Sequence, residues 1–365
     1  FRTDQAQGFA GGADNYSQEG QEMRSLRHGF LRLASGFVLC LSGCLFSGCE
    51  RRPLEDQDFR TRVQVRVNLD GIQNVTCDIY NDKIPVPTID PEVMHVLFFD
   101  ENGGAVVTES YISSRETDED GKTVFRGEVS VAPGSYRMLA YNFGTETTQI
   151  RDPYGWETSQ AYATAVPESV ASKFATKVPS GEPVVYEPDH LVVAREPDEV
   201  IPPHTGVHVI ESECRSVVES YYLQIKVDGL QYVSSATAVL SGMSSGNYIS
   251  LGQRIDDPQS AVCFSLLKSD DKGEPVICAI FNTFGRPEGA ENGLEVTFDL
   301  RTTDGRTVQK TFDISNLFLS ENCVKHHWLL LDDVIKIDPP ENPGTGGGFD
   351  PSVDDWDDEH HDIDI

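Results

Sequence analysis

The sequence predicts an all-β protein arranged as two tandem β-sandwich domains, and three observations carry that expectation. From Arg60 onward, apolar and polar residues alternate in short runs, as in Val63, Val65, Val67 and Leu69 against Arg62, Gln64, Arg66 and Asn68. Neighbouring runs are separated by residues that favour tight turns, such as Asp100 to Gly104 and Thr303-Asp304-Gly305-Arg306. Hardly any stretch carries a convincing amphipathic helical pattern. Strict alternation marks a strand with one buried face, and Gly, Asn and Asp between two such strands mark hairpins.

Taken in order, the run from Arg60 is the first half-buried strand. VMHVLFFDENGGAVVTESYIS reads as a hairpin turning at Asp100 to Gly104. TDEDGK is the next turn, TVFRGEVSV a strand, and Pro133-Gly134 reverses the chain into SYRMLAYNF. Between Gly144 and His204 the pattern weakens as proline and glycine cluster. VVYEP and HLVVA suit short edge strands, and ASKFA suits one or two helical turns. Pro202 and Pro203 interrupt any strand, so the boundary between the sandwiches is expected there, giving 49–203 and 204–338. In the second half Tyr221, Leu223, Ile225 and Val227 alternate with polar residues. SSATAVLSG and NYISLG flank a Gly-Ser turn, and CFSLL, PVICAIFNTF, LEVTFDL, TVQKTFDI and HHWLLLDDVIKI follow at short intervals. Ala140-Tyr141-Asn142-Phe143-Gly144 is echoed by Ile280-Phe281-Asn282-Thr283-Phe284-Gly285, which fits two sandwiches of related plan.

Ahead of the strands lies a secretory leader. Met23, Arg24, Arg27 and Arg32 precede a mostly apolar run from Leu33 to Phe46, which Glu50, Arg51 and Arg52 cut off before it could span a membrane. Residues 1–22 are expected to be non-native upstream sequence and 23–48 the signal peptide. Leu41-Ser42-Gly43-Cys44 and Phe46-Ser47-Gly48-Cys49 both have the apolar, small, small, Cys form of a lipoprotein processing site. Cys49 is preferred for lipid attachment because charged sequence follows it at once, whereas cutting at Cys44 leaves Leu45 and Phe46 on the mature end. Cys44 is the alternative.

Net charge is -30, and the leader holds four basic and four acidic residues, so the mature chain keeps it. That excludes nucleic acid as a partner and argues against a polybasic grip on anionic lipid. Five cysteines follow Cys49, an odd number that cannot all pair within one chain. Cys263 and Cys278 bracket an expected hairpin and would face one another across it, so they either form a cross-strand disulfide or, with the others, serve as small buried hydrophobes. Residues 339–365 form a Pro/Gly linker and an acidic tail; positions 338–365 hold ten acidic residues and no basic one.

Several motifs suggest chemistry without the context for it. Gly242-Met243-Ser244-Ser245-Gly246 matches a hydrolase nucleophile elbow, but strands flank it where a parallel strand and a helix are needed, so a hairpin loop is expected. Asp118, Asp120 and Gly121 look like the core of a calcium loop, yet Gly127 stands where the bidentate Glu belongs. Gly121-Lys122-Thr123 has Glu116 in place of the first glycine of a phosphate loop. His326-His327 and His360-His361 are adjacent pairs, and neighbours on a strand point to opposite faces. No catalytic residue, metal site or cofactor is assigned, and no enzymatic activity is expected.

The residues of the lipobox followed by ERRPLED, the hairpin HVLFFDENGG, the segment PGSYRMLAYN and the stretch YYLQIKVDGLQYVSSATAVLSGMSSGNYISLG resemble the fimbrillin-type lipoproteins of Bacteroidales, including the minor-fimbrium anchor subunits. The resemblance implies two transthyretin-like sandwiches, a lipid anchor in the outer membrane at the cell surface, and partnership with other fimbrial subunits by strand exchange. The lipidated cysteine carries over to Cys49. A shaft subunit would need a propeptide strand ahead of an Arg cleavage site, and Arg60 and Arg62 lie inside the first strand, so the resemblance points to an anchor or accessory subunit in fimbrium assembly and adhesion. Val353, Trp356, Ile363 and Ile365 would then be the apolar positions of a strand donated by the tail, against the alternative of a solvated acidic tail. A rival reading is a glycan-binding surface lipoprotein, with Trp156, Tyr154 and Tyr162 stacking on sugars beside Asp152 and Glu157.

Overall fold

The computed structural model describes residues 60–340, apart from 70–71, 73–75, 103, 118–120, 144, 204–205 and 290–292. The leader with Cys44 and Cys49, Asp118 and Asp120, His360-His361, and the tail positions Val353, Trp356, Ile363 and Ile365 lie outside the described residues.

In chain order the first strands are β1 (Thr61–Asn68), β2 (Met94–Asp100), β3 (Val106–Ile112), β4 (Ser114–Thr117), β5 (Thr123–Val131) and β6 (Gly134–Asn142). Next come β7 (Thr148–Arg151), β8 (Gln160–Ala163), helix α1 (Glu168–Phe174), β9 (Val184–Tyr186), β10 (Val192–Ile201), β11 (Val207–Glu213) and β12 (Arg215–Ser216). The remainder is β13 (Glu219–Asp228), β14 (Val233–Tyr248), β15 (Gln253–Ser265), β16 (Leu267–Asp271), β17 (Glu274–Thr283), β18 (Glu295–Thr302), β19 (Thr307–Asp313), helix α2 (Glu321–His326) and β20 (Trp328–Lys336). Among the described residues no helix is long and apolar enough to cross a membrane.

The first sandwich packs a sheet of order β11-β1-β5-β4 on one of order β12-β10-β6-β2-β3. Its core joins Val63, Val65 and Val67 of β1 to Met94, Val96 and Phe98 of β2 and to Met138 and Ala140 of β6. The alternation of β1 therefore does what its period implies: the three valines are fully buried, while Arg62 is exposed and Gln64 and Arg66 are half-buried. Fully burying a side chain of this size is worth about 1.5–3 kcal/mol. On each side of this sandwich the chain bends from one sheet into the other, at Ser113 between β3 and β4 and at Cys214 between β11 and β12.

The second sandwich packs β16-β17-β13-β20 on a seven-stranded sheet of order β19-β18-β14-β15-β9, to which β8 adds along β14 and β7 along β8. Its core continues onto the back of the first sandwich, taking in Leu97, Phe99, Leu139 and Tyr141. β2 is thus buried on both faces, which is why MHVLFF is apolar on both faces apart from His95, where β1 alternates.

The chain crosses between the sandwiches more often than a division at 203/204 anticipates. β8 pairs antiparallel with β14 and β9 pairs parallel with β15, so the irregular segment before β10 belongs to the second set of sheets. β11, beyond the expected boundary, returns to the first sandwich and pairs parallel with β1. Pro202 and Pro203 end β10 and turn the chain into β11; they mark a connection within a sandwich. The loop between β1 and β2 also crosses over. Tyr80 stacks on Tyr222 at 5.1 Å and meets Trp328 edge-on at 5.0 Å, covering the outer face of β13, β17 and β20.

Candidate functional site

Thr61 opens β1 twelve positions after Cys49, a tether that spans at most ~40 Å when fully extended. Thr61 is completely buried, and its hydroxyl donates to the carbonyl of Pro202 at 2.8 Å. β1 lies between β11 and β5 and is hydrogen-bonded on both edges. The strand next to the expected attachment point is therefore a central element of a packed sheet, and removing it would open the first core.

The two sandwiches meet at the connection from Glu187 to Val192, and the echoed asparagines hold it from opposite sides. The Asn142 side chain donates to the His190 carbonyl at 3.0 Å and accepts from the Val192 N–H at 2.8 Å. The Asn282 amide donates to the Pro188 carbonyl at 3.1 Å, and its oxygen accepts from the Ser220 hydroxyl at 2.7 Å. Ser220 also lies 3.2 Å from His190 Nε2. Burial pulls the His190 imidazole below its ordinary value, with Asp189 opposing it. Beside this connection a cavity of about 650 Å³ is lined by Arg195, Arg215 and Arg254 against Glu219, Asp256 and Glu288. Arg254 pairs with Glu219 at 2.5 Å, and Arg195 donates to the Ile249 carbonyl. Cations and carboxylates balance there, so the cavity selects no single sign of charge.

The Gly242 to Gly246 motif is a bend inside β14, where a hairpin loop was expected. At Gly242, with φ of 81°, β14 leaves its pairing with β18; from Gly246 it pairs with β8 instead. The serines satisfy the groups this register shift frees: Ser241 donates to the Glu295 carbonyl at 3.1 Å and Ser245 to the Ile255 carbonyl at 3.2 Å. Ser244 is 1 % exposed and its hydroxyl donates to Asp256 at 2.6 Å. A Cβ on Gly246 would sit 2.2 Å from the Ala161 carbonyl oxygen, so the close approach of β8 requires glycine.

His326 and His327 end a helix and do not lie on a strand as expected. His326 Nδ1 is 2.6 Å from Asp78 and its ring stacks on Trp328. His327, at φ of 57°, places Nδ1 3.0 Å from the Ser220 carbonyl and stacks on Tyr221. Of the aromatics considered for sugar stacking, only Tyr154 stands clear. Trp156 is 4 % exposed, edge-on to Phe99 at 5.4 Å, and packs into the shared core. Arg151 covers the ring of Tyr162, and Glu157 is paired with Arg137.

The Cys263–Cys278 disulfide is overturned: both thiols are free. β15 does not turn back on itself but bends at Leu266 into β16 of the facing sheet, and Leu267 takes the place opposite Cys278. Cys263 packs with Val166 and Phe174 on one outer face of the sandwich, Cys278 with Cys77 and Tyr222 on the other. All five described cysteines are free and buried. Burial pushes Cys77 and Cys263 up to about 11 and Cys214 and Cys323 up to about 12, and it raises Cys278 as well. Since the thiolate is the reactive form, iodoacetamide at pH 8 is expected to leave these five unmodified in the native protein and to alkylate all of them in denaturant. Peptide mass mapping reads both states, and native-state labelling of any of the five would contradict the packing.

Sequence reasoning passed over a row of rings across β3, β2 and β6, where Tyr111, His95 and Tyr141 stand opposite one another. Extending the hairpin register outward from Asn102 and Gly103 would have paired His95 with Ser110; the bulge between Phe98 and Phe99 moves it onto Tyr111, so no local signal marks the row.

Two linked sandwiches with a built-in first strand define a class of all-β protein, and the family follows from comparison. The chain belongs to the family described as a domain of unknown function (DUF5119), whose model matches residues 48–264. A Bacteroides ovatus protein provisionally named fimbrium anchoring subunit Fim4B is 26 % identical over 360 residues, covering 92 % of this chain and 97 % of that protein. A crystal structure of a provisionally assigned adhesin from Bacteroides ovatus shares the fold at 24 % identity and a TM-score of 0.56, covering 81 % of this chain and 99 % of that one. The fimbrial anchor protein Mfa2 from Porphyromonas gingivalis is more distant, at 14 % identity and a TM-score of 0.42, covering 74 % of this chain and 88 % of that one.

Proposed function

We propose that this protein is a non-enzymatic, fimbrium-associated surface protein, an anchor or accessory subunit, held in the outer membrane by lipid on Cys49, with Cys44 as the alternative. The observation that carries the reading is the likeness, along nearly its whole length, to the Bacteroides ovatus protein named as a fimbrium anchoring subunit. The central place of β1 supports an anchor over a shaft subunit, because a strand bonded on both edges over a closed core is not one to be cut out and replaced. The burial of Ser244 and its bond to Asp256 leave no exposed nucleophile at the one hydrolase-like motif. Its partners are other fimbrial subunits, met by strand addition, in which an extended segment gains main-chain hydrogen bonds along a sheet edge. Val353, Trp356, Ile363 and Ile365 are the positions of the tail suited to that contact.

The test is isolation of sheared fibres and membranes from cells expressing tagged variants. The unaltered protein is expected in the membrane fraction with fibre subunits bound, and Cys49→Ser is expected to release it into the soluble fraction. Deletion of residues 344–365 is expected to lose the fibre subunits while keeping the membrane attachment. Membrane retention of a Cys44→Ser, Cys49→Ser double variant would remove the lipid anchor from the reading, and unchanged fibre recovery after the deletion would remove the strand-donor role.

A further inference from the structure

Folding leaves one group of rings unused. His95 stacks on Tyr111 at 4.4 Å with an interplanar angle of 9°. Both of its nitrogens are fixed, Nδ1 3.0 Å from the Tyr141 hydroxyl and Nε2 2.9 Å from the Glu109 carboxylate. Phe143, just past the end of β6, meets Tyr111 edge-on at 5.5 Å and 67°. Tyr154 lies close enough for its hydroxyl to act electrostatically on Tyr111 and Tyr141. His95 and Tyr141 are each 4 % exposed, yet Tyr111, Phe143 and Tyr154 are 53 %, 60 % and 57 % exposed. Rings standing in water on a locked base expose apolar faces whose burial would be favourable and whose ordering is already complete.

Phe143 is also a wall of a concavity of about 540 Å³, lined further by Asp90, Glu92, Glu146, Asp189 and His190. Asp189 is held ionised: burial alone would raise it, but the N–H groups of Thr147 and Glu146, at 2.6 and 2.7 Å, pull it below its usual range. His190 Nδ1 is buried without a hydrogen-bond partner. Aromatic faces and hydrogen-bond acceptors thus adjoin at Phe143.

That pairing selects a ligand with apolar C–H faces and many hydroxyl donors. The carboxylates repel anions, including acidic sugars and phosphates, and a large aliphatic partner would strip water from acceptors it could not satisfy. We propose that Tyr111, Phe143 and Tyr154, with the carboxylate-lined concavity beside Phe143, form a binding site for a neutral oligosaccharide. A sugar ring stacks on the exposed aromatics while its hydroxyls donate to Glu109 and to the carboxylates of the concavity. This site differs from the one expected from sequence, sharing only Tyr154 with it, and it does not depend on the fimbrial reading.

The full chain would be screened on an array of neutral and sialylated oligosaccharides together with choline and oligolysine probes, and hits titrated calorimetrically at low and high salt. Neutral glycans are expected to bind with little salt dependence, and Phe143→Ala and Tyr111→Ala each to weaken binding by about tenfold. Tyr162→Ala, outside the cluster, should leave binding unchanged. Both alanine variants remove exposed rings, so their melting curves should match the unaltered protein and separate loss of binding from loss of fold. Failure of every neutral glycan to bind would overturn the proposal, as would binding indifferent to Phe143→Ala and Tyr111→Ala. Salt-sensitive binding of the cationic probes alone would assign the site to cations, which also favour rings and carboxylates. Recovery of Phe143→Ala with sheared fibres is expected to be normal, which keeps the two readings separable.

Discussion

Replacing Phe281 with alanine is expected to destabilise the protein by about 3–5 kcal/mol, among the largest effects available to a single core residue. Phe281 is completely buried on β17 and stacks on Phe264 at 4.2 Å with an interplanar angle of 7°. Across the β13–β17 ladder it meets Tyr221 at 5.9 Å, and Tyr221 in turn packs edge-on to Phe318 and stacks on His327. Truncation removes the transfer energy of a phenyl ring, leaves a cavity between two sheets that cannot easily close, and undoes a chain of ring contacts reaching α2. Urea denaturation should show a lower midpoint at unchanged slope, and Phe281→Leu should recover much of the loss. A change below about 1 kcal/mol would mean that the core repacks around the gap.

The second large effect is expected at β1. Val65→Asp puts a carboxyl group at a completely buried position, between sheets whose other side chains offer it no cation. Breaking the packing and burying an unpaired ionisable group costs several kcal/mol, so the first sandwich should lose its fold at neutral pH. Arg62 and Arg66 lie in the same strand, with side chains pointing away from the core. In the unaltered protein an arginine-specific protease is expected to spare the bonds after both, because cleavage needs an extended backbone freed from β11 and β5. In Val65→Asp those bonds should be cut quickly. Rapid cleavage after Arg62 in the unaltered protein, with the rest of the chain staying folded, would contradict the central role of β1 and restore the shaft-subunit alternative.

How legible the molecule is from its residues varies with how local the governing interactions are. β1 reads directly from its alternation, and the β18–β19 turn from Thr303-Asp304-Gly305-Arg306, because period two and turn chemistry are local properties. β2 lacks the alternation, since it serves two cores and is buried on both faces, and it is legible instead from the turn at Asp100 to Gly104 that joins it to β3. The Gly242 to Gly246 bend looks like a turn because glycine and serine break the alternation; only the arrival of β8 from far back in the chain makes it a change of neighbour. The cysteine pairing fails for a related reason. A symmetric run around Asp270 and Asp271 does not reveal that the chain has already changed sheets at Leu266. Trp156 lies in a proline- and glycine-rich segment that resembles an exposed loop, yet it is buried against Phe99, a residue more than fifty positions earlier. Its burial follows from the second core extending over the back of β2 and β6, which no window around Trp156 contains.

The position of β1 has a mechanical consequence. On the proposed reading, in which the protein is joined to the membrane ahead of Thr61 and to a fibre elsewhere, flow that drags on the fibre pulls on the chain. The pull enters along the axis of β1, whose bonds to β11 and β5 lie side by side across it. A load in that direction acts on both ladders together in shear and does not peel them one bond at a time. Resistance to forced unfolding is set by the rate of the rupturing step, so a strand gripped on both edges makes the membrane end of the chain slow to yield. The asparagine-pinned connection from Glu187 to Val192 and the ring-stacked loop around Tyr80 are the contacts through which such a load would pass into the second sandwich.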